Sequence, residues 1–305
     1  MQTTSCPPGK IWALLDRYLF AERPEVELRV FGNVAVDLRF LEAMPSLQKF
    51  TVNGCEHVEN LECLGLLPDL KELSLGVFSL EDFDFLERAP EGLKCLSLER
   101  SSSRRPDLSH LKRFGELEEL YIEGHTKGIE ILSGLMGLKK VTLRSITVKD
   151  LSFLRDLPRL WSLALHLGGT TCLEGLRGMT SLMDFEACQV RGLADLDVLS
   201  SFTGLQSLRL QSLPRMLRIP CLSDSVHLRK IHLENLKGLK DFRALQGAPG
   251  LEEFRFVDAK RQSPSDLLPV LKNPSVKRVE AGFGSDKKNL EFARLRDTLG
   301  KRGWN

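Results

Sequence analysis

Eleven copies of a short apolar signature, L-x-x-L-x-L, recur along this chain at intervals of 21 to 25 residues. They begin at Leu47-Phe50-Val52 and Leu70-Leu73-Leu75, pass through Leu138-Val141-Leu143 and Leu160-Leu163-Leu165, and end at Leu251-Phe254-Phe256 and Val276-Val279-Ala281. A degenerate twelfth copy precedes them at Leu28 and Val30. A period held this long is the mark of a repeat array, which grows by stacking and needs no single closed core.

Each unit has two halves with different rhythms. In the L-x-L portion apolar and other residues alternate, so both leucines point to one side of a short strand. The strand cannot bury that side alone. A second copy stacked ~4.8 Å away satisfies its backbone and extends one shared core. The other half carries apolar residues three apart, as in Leu61-Leu64-Leu67, Leu151-Leu154-Leu157 and Leu196-Leu199-Phe202. That spacing suits a 3₁₀ or short helical turn with one apolar edge. Proline follows the turn at Pro45, Pro68, Pro90, Pro158, Pro249 and Pro274, where it stops the helical turn and favours extended chain. The step from 213 to 226, with Pro214 and Pro220, is expected to bulge as a loop.

The ends are expected to be capped, because a bare terminal repeat exposes core. Residues 10–21 place Ile11, Leu14, Leu15, Tyr18 and Leu19 on one helical face, with Pro24 beyond. Residues 289–299 form an amphipathic pattern through Leu290, Phe292, Ala293, Leu295, Arg296 and Leu299, followed by Lys301, Arg302 and Trp304.

These features resemble the leucine-rich-repeat family. The 22-residue rhythm at residues 149–160 is similar to the bacterial internalin and eukaryotic phosphatase-regulator subclass. The resemblance implies an α/β solenoid: a right-handed leucine-rich-repeat horseshoe with a parallel concave sheet of about 11–12 short strands, convex 3₁₀ or short helical turns, and helical caps at both ends. The expected layout is a capping helix over 1–24, the solenoid over 25–282 and a second cap over 283–305, all in one structural domain. Family members often carry asparagine three residues after the last strand leucine. Here that column reads Cys55, Phe78, Ser101, His125, Ile146, Gly168, Val190, Leu213, Leu236 and Ala259, so no asparagine ladder is expected.

Composition excludes several classes. A 42% apolar content is ordinary for a folded protein. The net charge of +2 argues against a dedicated nucleic-acid binder. Charge is nonetheless uneven. Residues 51–100 hold eleven acids against four bases, and residues 255–305 hold twelve bases against six acids. The basic end leaves weak nucleic-acid binding as an alternative. Seven cysteines, at 6, 55, 63, 95, 172, 188 and 221, show neither CxxC pairing nor zinc spacing, which fits reduced thiols in a cytoplasmic protein. No run approaches the ~20 apolar residues of a membrane span.

No phosphate-binding, zinc-protease or hydrolase-elbow motif occurs, and no catalytic residue, metal or cofactor is assigned. His166, Glu186 and Cys188 fall on neighbouring strands, but a flat sheet offers no pocket to activate the thiol. His57, His110 and His125 fall in turns and are expected to be solvated, and His227 to be structural. The residues between the strand leucines face the inside of the curve. There Tyr121, Glu123, Arg144, Trp161, His166, Glu186, Arg209, His232, Glu234 and Arg255 form the candidate binding array. Tyrosine, tryptophan and arginine are the residue types that dominate interface energetics. The competing account is a solvated strand face laced by cross-strand pairs such as Glu123 with Arg144.

The expected function is a non-enzymatic protein-binding module that holds a partner on its concave face, as an inhibitor or an immunity protein to a toxin. The resemblance offers an alternative, a regulatory subunit of an enzyme such as a protein phosphatase. No small-molecule substrate and no membrane contact are expected, and the chain is expected to be monomeric on its own.

Overall fold

The computed structural model describes residues 1–3, 9–32 and 35–304. Cys6 lies outside the described residues. Residue contacts divide the chain into two compact units, Met1–Arg144 and Ser145–Asn305.

In the first unit the alternating segments form parallel strands: β1 (Gln2–Thr3), β2 (Glu27–Phe31), β4 (Lys49–Cys55), β6 (Glu72–Val77), β7 (Cys95–Leu98), β8 (Glu119–Glu123) and β9 (Lys140–Arg144). A small second sheet pairs β3 (Ala35–Asp37) with β5 (His57–Glu59). The degenerate copy is a full strand, since Leu28 of β2 aligns with Phe50 of β4. Register then carries the apolar column onward through Leu73, Leu96, Leu120 and Val141, all buried.

The second unit repeats the device in β10 (Ser162–His166), β11 (Asp184–Cys188), β12 (Ser207–Gln211), β13 (Lys230–Glu234), β14 (Glu253–Val257) and β15 (Arg278–Ala281). Leu163, Phe185, Leu208, Ile231, Phe254 and Val279 align strand to strand and are buried. A one-residue slip would turn this whole column outward, so the alternation fixes the register.

The three-residue rhythm becomes 3₁₀ turns, among them Leu61–Leu66, Leu108–Arg113, Ser152–Leu154 and Asp197–Ser201. An aspartate opens many of them by accepting the backbone N–H two residues on: Asp107 from Ser109, Asp150 from Ser152, Asp195 from Asp197 and Asp241 from Arg243. Such side-chain turns satisfy donors that the short helix leaves orphaned. The last repeat differs: its 3₁₀ turn over Pro264–Leu267 runs on into a short α-helix, α2 (Leu268–Lys272), which accounts for its longer step.

Strand exits follow a second rule. Ser145, Leu167, Gln189, Ser212, Asn235 and Asp258 each follow a strand and each has a left-handed φ between 49° and 56°. In the first five the turn aims the N–H at the next strand's last carbonyl, as from Ser145 to His166 and from Ser212 to Glu234, whereas at the sixth exit it is Ala259 N that bonds, to Gly282 O. Immediately after it, Ile146, Val190, Leu213, Leu236 and Ala259 are buried. Two polar side chains buried in the later turns hydrogen-bond backbone. Gln262 donates to Leu236 O and Leu239 O, and Asn273 to Leu245 O and Ala248 O.

Several expectations need correction. The segment from 213 to 226 does not bulge: Leu213, Met216, Ile219 and Leu222 are buried at three-residue intervals, and Ile219 N–H bonds Asp241 O. Phe78 is 56% exposed, because a bulge in β4 shifts register and seats Val77 inside instead. His125 is buried, not solvated, and His227 is exposed.

The first helix, α1 (Gly9–Leu15), also presents a different face. Ile11, Leu14 and Tyr18 are exposed, whereas Trp12, Asp16 and Phe20 are buried. The helix widens into a π turn over Asp16–Phe20, which keeps these four-apart residues in line. Trp12 stacks on Phe40 with ring centroids 4.5 Å apart, and Asp16 accepts from Ser46 N at 3.0 Å. At the other end α3 (Asp286–Thr298) lays Phe292 against Phe283 at 5.5 Å. Lys301 follows, its ammonium donating to Asn273 O and Val276 O at 2.7 Å, and burial pulls its pKa down.

Candidate functional site

The second unit's open sheet face is built by the residues that alternate with the buried column. Its central row is Ala164, Glu186, Arg209, His232, Arg255 and Glu280, one per strand and paired in register. Two residues further along each strand lie His166, Cys188, Gln211, Glu234 and Val257. Parallel pairing sets these side chains ~4.8 Å from their neighbours, close enough for polar ones to interact across strands.

His166 Nε2 lies 3.1 Å from Glu186 Oε1, and Arg209 Nη1 lies 3.5 Å from Glu186 Oε2. The bond to His166 is the main cause that holds the Glu186 carboxyl below its ordinary pKa, against a desolvation that raises it. Cys188 donates its thiol to Gln211 Oε1 at 3.2 Å, and Gln211 donates to Glu234 Oε1 at 3.0 Å. Arg255 Nε stands 3.7 Å from Glu280 Oε2. His232, between the two arginines, is driven toward its neutral form first by burial and then by both guanidiniums.

Exposure on this face is unequal by sign. Arg209, Lys230, Arg255 and Arg278 keep 52–65% of their side-chain surface, whereas Glu186 and Glu253 keep 22% and 25%. Glu186 and Glu253 lie low on the sheet, Glu280 stands higher at 42%, and the four cations reach past all three. Long aliphatic stems allow this, carrying a charged head to water over a covered base.

Trp161 stands just before β10. Its carbonyl accepts from both Met183 N and Asp184 N, which puts Trp161 and Met183 at the same place in successive repeats. They are 37% and 39% exposed, an apolar pair at the strand-entry rim of a polar face.

The first unit holds the remaining expected residues. Tyr121 Oη donates to Glu123 Oε2 at 3.0 Å, and Arg144 Nε reaches Glu123 Oε1 at 3.2 Å. Burial, reinforced by Glu123, pushes the Tyr121 hydroxyl pKa up. These three residues are engaged with one another, as the cross-strand salt-bridge account anticipated.

The face shows little that chemistry requires. His166 and Cys188 sit opposite each other in register, but the thiol donates to an amide oxygen and the imidazole faces a carboxylate. No group of three potential metal ligands occurs among the described residues. No helix among them is long and apolar enough to cross a membrane. A cleft of about 510 Å³ at the end of the second unit is lined by Lys277, Arg278, Lys301 and Arg302. Three of its cations are engaged: Lys277 with Glu252 at 2.9 Å, Arg278 with Glu253 at 3.4 Å, and Lys301 with backbone.

Sequence reading missed Lys230 and Arg278, because a lysine or arginine at a strand start looks like any solvated residue. Their height above Glu253 appears only in the packed sheet.

No protein-family model and no curated protein matches the chain. Solved structures do. An internalin of Listeria monocytogenes superposes with a TM-score of 0.64 at 17% identity, over 92% of this chain and 77% of that one. A leucine-rich-repeat protein of Leptospira interrogans superposes with a TM-score of 0.58 at 14% identity, over 92% of this chain and 89% of that one. These likenesses are of fold: the chain has the leucine-rich-repeat architecture that its repeat spacing implied.

Proposed function

We propose that this leucine-rich-repeat solenoid is a non-catalytic protein-binding module, and that its partner docks an acidic surface on the open sheet face of the second unit. The observation that carries this is the inequality of exposure: Arg209, Lys230, Arg255 and Arg278 stand clear while Glu186 and Glu253 lie beneath them. A partner therefore meets positive charge first, which speeds encounter and selects against basic surfaces. Trp161 and Met183 supply apolar surface at the rim, where a large side chain can anchor the contact.

In its specific form the proposal is an inhibitor, such as an immunity protein that covers an acidic patch of a toxin. A rigid charged face with no assigned catalytic residue suits that work, since little ordering entropy is lost on binding. Cys55, Cys63, Cys172 and Cys221 are free thiols, which suits a reducing compartment such as the cytoplasm.

Affinity capture from the native host, with wild type beside an Arg209→Glu/Arg255→Glu variant and a Trp161→Ala variant, tests the reading. A partner recovered by wild type is purified and titrated against all three proteins. We expect the double reversal to slow association at least ~10-fold at low salt, and Trp161→Ala to speed dissociation by a comparable factor. A partner that binds all three proteins alike removes this face as the docking site.

A further inference from the structure

Three strands of the second unit set Arg209, His232 and Arg255 in one row: Arg209 pairs in register with His232, and His232 with Arg255. Adjacent strands are ~4.8 Å apart, so the two arginine backbones stand roughly 10 Å apart with the imidazole between them. Both guanidiniums have counter-charges on the far side. Arg209 is 3.5 Å from Glu186 on β11, and Arg255 is 3.7 Å from Glu280 on β15. His232 Nε2 is buried and has no hydrogen-bond partner among the described residues. Buried polar atoms without a partner are rare, and each asks for a reason.

The charged groups around this imidazole are known from every strand beside it. Arg209 faces it from β12 and Arg255 from β14, Lys230 and Glu234 share its own strand, and Glu186 acts from β11. Burial and the two arginines disfavour the imidazolium, and the two glutamates favour it more weakly. A protonated His232 would complete a row of three cations. What the row lacks is one anion placed over its centre.

We propose that Arg209, His232 and Arg255 form a proton-linked clamp for a carboxylate of the acidic partner: the two guanidiniums close on its oxygens and His232 takes up a proton as it binds. The clamp rests on the sheet-face reading above. Closing it costs little, because both existing ion pairs are longer than 3.4 Å and both arginines are more than half exposed. Guanidinium and carboxylate geometry favours the pairing. Once the anion offsets both arginines, the guanidinium part of what keeps His232 neutral is removed. Burial, the larger part, is opposed by the carboxylate's charge and by the acceptor it offers to Nε2–H as the arginine side chains swing off the ring and onto the anion. Linkage then fixes the sign: complex formation that takes up a proton strengthens as pH falls.

The test uses the whole chain and an unlabelled hexaglutamate peptide, whose side chains remain almost fully ionised at about pH 6. Calorimetry at low salt, at about pH 7.5 and about pH 6, in buffers of different ionisation enthalpy, gives both Kd and the protons taken up. We expect wild type to bind at least ~3-fold tighter at the lower pH, under the limit of about tenfold per pH unit that one proton sets. His232→Gln should bind with no such pH dependence, while His166→Gln should keep it. NMR of the His232 ring in unmodified protein gives a reading that needs no variant, and its midpoint should rise when peptide is added.

Peptide that binds with pH-independent affinity and an unmoved His232 midpoint overturns the clamp while leaving the docking face in place. So does a pH dependence lost in His166→Gln and kept in His232→Gln. Failure of wild type to bind the peptide at low salt overturns the clamp and the acidic-partner reading together. Hexathymidylate that binds more tightly than the peptide, with the same proton uptake, overturns the assignment to a carboxylate and makes the occupant a nucleic acid.

Discussion

The backbone N–H of Leu167 donates to the carbonyl of Cys188 at 2.9 Å, and Leu167 holds φ at +56° to reach it. The same bond recurs at strand exits of the second unit, so the left-handed turn belongs to the repeat and not to the residue. Leucine is a poor choice for that conformation, because its Cβ crowds the following carbonyl. Its side chain is also 39% exposed, so little packing offsets the strain.

Leu167→Gly is therefore expected to stabilise the protein by about 0.5–1 kcal/mol, the strain relief exceeding glycine's entropic cost. Urea denaturation of the two proteins measures it. A destabilised variant would show that the leucine contributes packing greater than its backbone strain.

His125 gives the stability a pH dependence. Its imidazole is buried, donates through Nε2 to Glu99 O at 3.0 Å, and meets the Phe83 ring edge-on at 5.0 Å. Burial holds its pKa below the ordinary histidine value, so the native ring is neutral where the unfolded ring already binds a proton. Stability from this group is full above about pH 6.5 and is lost as pH falls through that value, with a slope of at most about 1.4 kcal/mol per pH unit. His125→Gln should be less stable at pH 7.5 but flatter between about pH 7 and about pH 5. Denaturation midpoints at several pH values decide it, and equal slopes in the two proteins would rule His125 out as the cause.

Asn273 is expected to be among the costliest polar positions to lose. Its amide donates to Leu245 O and Ala248 O in buried surroundings, and its Oδ1 accepts from the part-buried Ser275 N at 2.9 Å. Asn273→Ala strands those groups and opens a void, so a loss of about 2–4 kcal/mol is expected. Asn273→Asp keeps the size and the acceptor yet removes both donors, and should also destabilise. Thermal melts of both variants check this; a stable alanine variant would mean that the freed carbonyls find other partners.

The L-x-x-L-x-L copies made the fold legible, because alternation and the three-residue rhythm are local and each copy repeats the same message. Even the weak copy at Leu28 and Val30 was a true strand. Errors arose where the pattern was polar or bent. Asp16 lies in the middle of the buried face of the first helix and hid the Trp12 to Phe20 spacing, since a carboxylate reads as exposed until Ser46 is brought to it. The segment from 213 to 226 contains two prolines and looks like a loop, yet the neighbouring repeat gives Ile219 N–H its acceptor.

The candidate face was legible as columns but not as a site. Arg209, His232 and Arg255 were visible as successive members of one row, which register alone delivers. Which charges stand above others, and which ring nitrogen lacks a partner, depend on rotamers and on neighbours about 20 residues away.

The sequence by itself determined the repeat, the register and the identity of the buried column, because the period of two along a strand leaves only one face apolar. The tertiary structure alone decided the left-handed strand exits, the burial of His125 and the raised cations over lowered acids. These follow from how each repeat's backbone groups are satisfied by the next, and no single repeat carries that information.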